Sequence, residues 1–218
     1  LVDPAIIAKL YEKGKLEPEE LIEETPPSNH FYILKSHGSS ALGWYNSNSG
    51  FIENIEIKNI YGIYPRNAEQ HFAMHALMNP NVLLTTITGS AGTGKTLLAL
   101  AGALEQRSNF KQIYLTRPIV PLSNRDIGYL PGDANAKIDP YMQPLWDNLS
   151  FIKNQFKEIS KQYKKIDEMV QTDKLRIVPL AYIRGRSLSN VIFIVDEAQN
   201  LTPLEIKTII TRAGEKTK

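Results

Sequence analysis

One short run, Gly89-Ser-Ala-Gly-Thr-Gly-Lys95-Thr96, constrains this chain more than any other feature of its sequence. It fits the phosphate-loop pattern G-x-x-x-x-G-K-[ST]. It lies between residues 82–88, an apolar and β-branched run, and residues 97–106, rich in Leu and Ala. The expectation is a strand buried on both faces, a tight loop and a helix. The chemistry needs that order. Glycines let the backbone turn tightly, so that the N–H groups of Gly89, Ser90, Ala91, Gly92, Thr93 and Gly94 can surround phosphate oxygens. The helix that follows directs its unpaired donors and partial positive charge at the same oxygens. Lys95 is placed to reach the β- and γ-phosphates, and the Thr96 hydroxyl to ligate Mg²⁺. The expected ligand is a nucleoside triphosphate with Mg²⁺, ATP foremost; the GTPase base-reading motif Asn-Lys-x-Asp is not visible.

Val191-Ile-Phe-Ile-Val195-Asp196-Glu197 supplies the partner such a loop requires. A buried strand there delivers two acids at its C-terminal end, where ligands bind in open α/β sheets. Asp196 is expected to hold the Mg²⁺ shell, and Glu197 to orient and deprotonate an attacking water. Transfer to water needs such a base, whereas a small-molecule kinase can manage without it. Residues 112–116 and 175–179 read as further strands, and 117–137 as a long loop rich in Pro, Gly, Asn and Asp. Asp139-Pro140 reads as a helix start, and Thr202-Pro-Leu-Glu205 as a capping box opening the last helix. Strands alternating with helices predict an α/β fold, a P-loop NTPase core on a mostly parallel sheet.

Upstream, residues 4–24 read as a short helix and a charged linker stopped by Pro26-Pro27. Residues 31–35, 41–45 and 51–60 read as strands, with Asn46-Ser-Asn-Ser-Gly50 as a turn. The domain reading is therefore a helix and linker (1–27), a small antiparallel β module (28–60) and the P-loop domain (61–218). Trp44 and Tyr45 are candidates either for the core of that module or for stacking on RNA bases. His71 and His75 lie four apart on an expected helix (67–78), but Phe72 stands where a zinc protease needs glutamate, so core or surface histidines fit better. The chain has 218 residues, no cysteine and a formal charge of +2. That leaves no disulfides or thiolate metal sites, suits a reducing cytoplasm and gives no bulk argument for nucleic acid. The run of Lys153, Lys157, Lys161, Lys164 and Lys165 reads as a solvated helix face. No apolar run is long enough to span a bilayer.

Taken together, Asp196-Glu-Ala-Gln-Asn-Leu-Thr202, Ala91-Gly-Thr-Gly-Lys-Thr-Leu-Leu-Ala99, Thr116-Arg-Pro-Ile-Val120, Ile127-Gly-Tyr-Leu-Pro-Gly-Asp133 and Arg184-Gly-Arg-Ser187 resemble the PhoH-like ATPases, from about residue 28 to the end. Tyr61-Gly-Ile-Tyr-Pro-Arg-Asn-Ala-Glu-Gln70 and the β module resemble the branch fused to an N-terminal PIN ribonuclease domain. The resemblance implies an ATPase core related to superfamily-one helicases, single-stranded RNA as partner, a homo-oligomeric ring, and a PIN nuclease domain in cis. It implies that Gln70 reads adenine, although Asn67 and Gln70 also have capping-box spacing. It implies that Gln199 senses the γ-phosphate or orients water. It makes Arg117, Arg184 and Arg186 candidates to grip RNA phosphates or a neighbouring subunit's nucleotide, and Tyr129 a candidate to stack on a base. The PIN domain is absent from this sequence. The chain opens on Leu1 and stops one helix past Asp196, before the strand that in this branch inserts between the 82–88 and 191–195 strands. A longer native protein is therefore expected. The alternatives are a nucleotide-binding assembly module without hydrolysis and a small-molecule phosphotransferase.

Overall fold

The computed structural model describes residues 1–119, 134–183, 185 and 188–218. They form two compact units, residues 1–59 with 64–79 and residues 60–63 with 80–218.

In the first unit, Asp3 caps helix α1 (Pro4–Lys13) by accepting from Ala5 N–H at 2.8 Å. Gly14 ends the helix in the left-handed conformation at φ 72°. Strands β1 (Lys15–Leu16), β2 (Phe31–Ser36), β3 (Ser39–Asn46) and β4 (Phe51–Asn54) form an antiparallel sheet in the order β1-β4-β3-β2. Successive strand residues point to opposite faces. Ala41 and Tyr45 therefore join Ile7 and Leu10 of α1 in one core, with Leu16, Leu34 and Ile52. Trp44 points the other way, to helix α2 (Ala68–Met78), where its ring lies 4.6 Å from His75. Phe31 stacks on Phe72 at 4.8 Å. Trp44 and Tyr45 are each 7% exposed, so both serve the core.

This division runs differently from the sequence boundaries. Residues 1–27 contribute α1 and β1 to the β module, and α2 belongs to the same compact unit as that module. The strand expected over 51–60 ends at Asn54.

The second unit holds three parallel strands, β5 (Gln112–Arg117), β6 (Leu175–Pro179) and β7 (Val191–Val195), in the order β6-β5-β7. The central strand is buried on both faces. Ile113, Leu115 and Thr116 are fully buried and Tyr114 nearly so, as a parallel sheet with covered faces requires. Helix α3 (Lys95–Glu105) packs on α4 (Ala134–Lys153) and touches β7, while α4 and α5 (Lys161–Gln171) lie on β6. Tyr114 packs with Ile183, Leu188 and Val191. Thr202 and Glu205 form a reciprocal capping box at the start of α6 (Pro203–Ile210). The end of the chain runs along the free edge of β7, where Phe193 N–H donates to Lys218 O at 2.8 Å and Lys218 N–H to Val191 O at 3.0 Å.

Two expectations change. Residues 82–88 form no strand, and Leu83 and Leu84 are 61% and 65% exposed. β-Branched composition favours a strand only where a neighbour completes the ladder. Helix α4 starts at Ala134, ahead of Asp139-Pro140, and holds Pro140 and Pro144 within it, each withholding one N–H donor. Among the described residues no helix is long and apolar enough to cross a membrane.

Candidate nucleotide site

The site is assembled where β5, β7 and the start of α3 meet, all within the second unit. Gly89, Gly92 and Gly94 have φ of 152°, 76° and 83°, a region that side chains disfavour. Gly94 is the N-cap of α3, and Leu98 N–H is the first to bond back to it, at 2.9 Å. The amides of Lys95, Thr96 and Leu97 thus have no intrahelical partner and face out of the helix start. Thr93 Oγ1 braces the loop by donating to Ser90 O at 2.9 Å. Lys95 Nζ lies over the same loop, donating to Gly89 O at 2.9 Å and Ser90 O at 2.8 Å, which uses two of its three donors.

The Thr96 hydroxyl donates to Asp196 Oδ1 at 2.5 Å. Residues one hundred apart in sequence thus present two hard oxygens at one point beside the loop. That donor set fits Mg²⁺, which keeps waters and phosphate oxygens and takes few protein ligands. Among the described residues no cluster of three or more His, Cys, Asp or Glu could hold a metal alone. Asp196 follows β7, and its N–H donates to Thr116 O at 2.8 Å, which carries the β5–β7 register one step past the strand end. Arg117 is thereby set beside it. One guanidinium nitrogen, Nη2, lies 3.0 Å from Asp196 Oδ2 and 3.2 Å from Glu197 Oε1. Gln199 Nε2 donates to the other Glu197 oxygen, Oε2.

A family model for PhoH-like protein matches residues 62–218. The chain belongs to the PhoH-like family. Its relatives include Protein PhoH2 of Bacillus subtilis (strain 168), 36% identical over 226 aligned positions that take in 100% of this chain and 50% of that protein. Protein PhoH2 of Thermobispora bispora is 32% identical, over 96% of this chain and 46% of that protein. A PhoH-like protein of Synechocystis sp. is 42% identical over 134 residues, 60% of this chain and 38% of that one. The chain spans about half the length of the curated relatives it matches. PhoH-like proteins are generally ATP-binding P-loop proteins, so this PhoH-like chain carries a nucleotide site.

The structure brings together Gly89, Ser90, Gly92, Thr93, Gly94, Lys95, Thr96, Asp196, Glu197 and Gln199, with the exposed Ala91 on the loop between them. Gln70 belongs to the first unit. Its Oε1 accepts from Arg66 N–H at 2.8 Å and its N–H donates to Asn67 Oδ1 at 2.9 Å, so Asn67 caps α2 and Gln70 ties the first turn back to Arg66. Arg117 is not a loop residue. It ends β5 and is engaged by acids of its own chain. Tyr129, Arg184 and Arg186 lie outside the described residues. The basic run forms no single solvated helix face: Lys153 ends α4, has its side chain 21% exposed and pairs with Asp167, while Lys161, Lys164 and Lys165 lie on α5, where Lys165 pairs with Glu168. Sequence reasoning missed the Arg117 clamp. Its signal was the pair of strands that each end on a charge, Arg117 after residues 112–116 and Asp196 after 191–195.

Proposed function

We propose that this chain binds ATP with Mg²⁺ and hydrolyses it, with Glu197 as base, as the motor or switch of a protein acting on single-stranded RNA. The carrying observation is the 2.5 Å contact between Thr96 Oγ1 and Asp196 Oδ1 at the mouth of the loop. Thr96 and Asp196 would hold a Mg²⁺ ion, which would supply charge neutralisation for a bound triphosphate. Lys95 and the amides of residues 92–97 bind and orient the phosphates. Glu197 takes a proton from a water whose oxygen forms a bond to the γ-phosphorus, and the bond from that phosphorus to the β–γ bridging oxygen breaks to leave ADP and phosphate. Each carboxylate oxygen has two acceptor positions, so Glu197 can hold Arg117 and Gln199 and still receive that proton. RNA, a PIN domain in cis and a ring of subunits are supported by the family resemblance alone.

The second reading is a nucleotide-controlled assembly module without hydrolysis, favoured by the engagement of both Glu197 oxygens. Glu197→Gln separates the two. Hydrolysis predicts retained ATP binding with phosphate release reduced about 10²- to 10⁴-fold, measured with and without single-stranded RNA. Unchanged phosphate release in the variant removes Glu197 from the reaction. Phosphate found on a small alcohol in place of free phosphate identifies a phosphotransferase.

A further inference from the structure

Arg117 is held in place more firmly than a mobile side chain at a strand end needs to be. The β5–β7 register sets its Cα beside that of Asp196. Pro118 follows it, and a residue before proline is confined to extended backbone. Its side chain is 20% exposed, and Nη1 donates to Tyr141 O of α4 at 3.4 Å. Its Nε is buried with no hydrogen-bond partner among the described residues. Through Nη2 it touches both acids, so Asp196 has Oδ1 on Thr96 and Oδ2 on Arg117, while Glu197 has Oε1 on Arg117.

The charges matter as much as the contacts. Lys95, Arg117, Asp196 and Glu197 sum to zero, and the guanidinium shared by the two carboxylates offsets their mutual repulsion. A divalent ion on Asp196 would bring two positive charges within a few ångströms of the guanidinium. Both cations are then tolerated only if further negative charge arrives, and the triphosphate is the group that brings it. We propose that Arg117 is a positioning residue with two tasks. It makes divalent-cation binding at Asp196 conditional on the nucleotide, and it holds the Glu197 carboxylate in place when Asp196 turns to the metal. This rests on the roles given to Asp196 and Glu197 above.

The test uses Mn²⁺ as probe, followed by electron paramagnetic resonance, with and without a non-hydrolysable ATP analogue. The wild-type protein should bind Mn²⁺ weakly alone and far more tightly with the analogue. Arg117→Ala, and Arg117→Met with its aliphatic stem kept, should bind Mn²⁺ alone about tenfold more tightly, because a competing cation is gone. Arg117→Lys should restore weak binding through its charge. Because an ammonium is a point charge without the planar fork, it should not restore kcat, at near-normal KM for ATP. Unchanged Mn²⁺ affinity in folded neutral variants overturns the proposal and leaves the nucleotide site standing. A wild-type protein that binds neither the analogue nor Mn²⁺ in its presence overturns the nucleotide reading itself.

Discussion

Replacing Gly92 with alanine isolates the conformational demand of the loop from everything else in the site. Gly92 has φ 76°, and a Cβ built there meets nothing within 4 Å. The substitution therefore adds no clash, and its whole cost is torsional. An L-residue in the left-handed region costs about 1–2 kcal/mol. The loop is exposed and braced by few bonds, so the free protein can shed that strain by letting the loop leave its conformation. The cost then reappears when the nucleotide requires the original shape. Nucleotide affinity should fall about 5- to 30-fold, while the midpoint of thermal unfolding moves by less than about 2 °C. Fluorescent-nucleotide titration and circular-dichroism melting read the two quantities. Gly38→Ala is the control. Gly38 has φ 85° and equally open space, but it sits in the tight turn between β2 and β3. Its cost should appear in the melt and leave affinity untouched. Nucleotide affinity within about twofold of wild type in Gly92→Ala would refute the reasoning, because the left-handed backbone would then play no part in holding the phosphates.

Gly43→Ala should destabilise the first unit by about 1–3 kcal/mol, since a Cβ there lies 2.8 Å from Cγ2 of the fully buried Ile52. A melt indistinguishable from wild type would show that β3 and β4 are not packed at that distance. Burial against Phe31 and Trp44 holds His75 below its ordinary value of 6.5, with Glu53 opposing, and its Nε2 is buried with no hydrogen-bond partner among the described residues. Its neutral form is the folded one, so stability should be level above that ordinary value and decline as pH falls below it. Melting temperatures followed from about pH 7.5 to about pH 5 should fall less in His75→Phe, and parallel curves would remove His75 as the cause.

The parts of the site legible in the sequence are those whose chemistry fixes residue identity. Glycine is favoured at φ of 76° and 83° at residues 92 and 94, and Ser or Thr supplies the hydroxyl at the second position of the helix, so spacing alone revealed the loop. The apolar run 191–195 and the acid after it were legible because the strand is apolar at every position, with no polar alternation to hide it. Residues 82–88 are likewise rich in apolar and β-branched residues and form no strand, because composition specifies suitability for pairing and not the partner. The two-residue β1 is too short to have a pattern, yet its pairing with Ile52 and Glu53 makes the start of the chain part of the β module. Helix α2 shows helical spacing, but nothing in that spacing tells Phe72 to stack on Phe31.

The pairing of Asp196 with Glu197 at one guanidinium was the least legible feature, and backbone conformation explains it. Had β7 continued, these two neighbours would point to opposite faces of the sheet, and one nitrogen could not reach both. Glu197 instead adopts φ 53°, in the left-handed region, and the chain enters a single 3₁₀ turn at Ala198–Asn200. Asn200 N–H donates back to Glu197 O at 3.0 Å and closes that turn. The reversal brings the second carboxylate to the side of the first, 3.2 Å from the nitrogen that already holds Asp196 at 3.0 Å. A non-glycine residue in this conformation costs of order 1–3 kcal/mol and persists only where its surroundings over-determine it. Arg117 and Gln199, one on each oxygen, are those surroundings, so the strain at Glu197 and the clamp that holds it are two sides of a single arrangement.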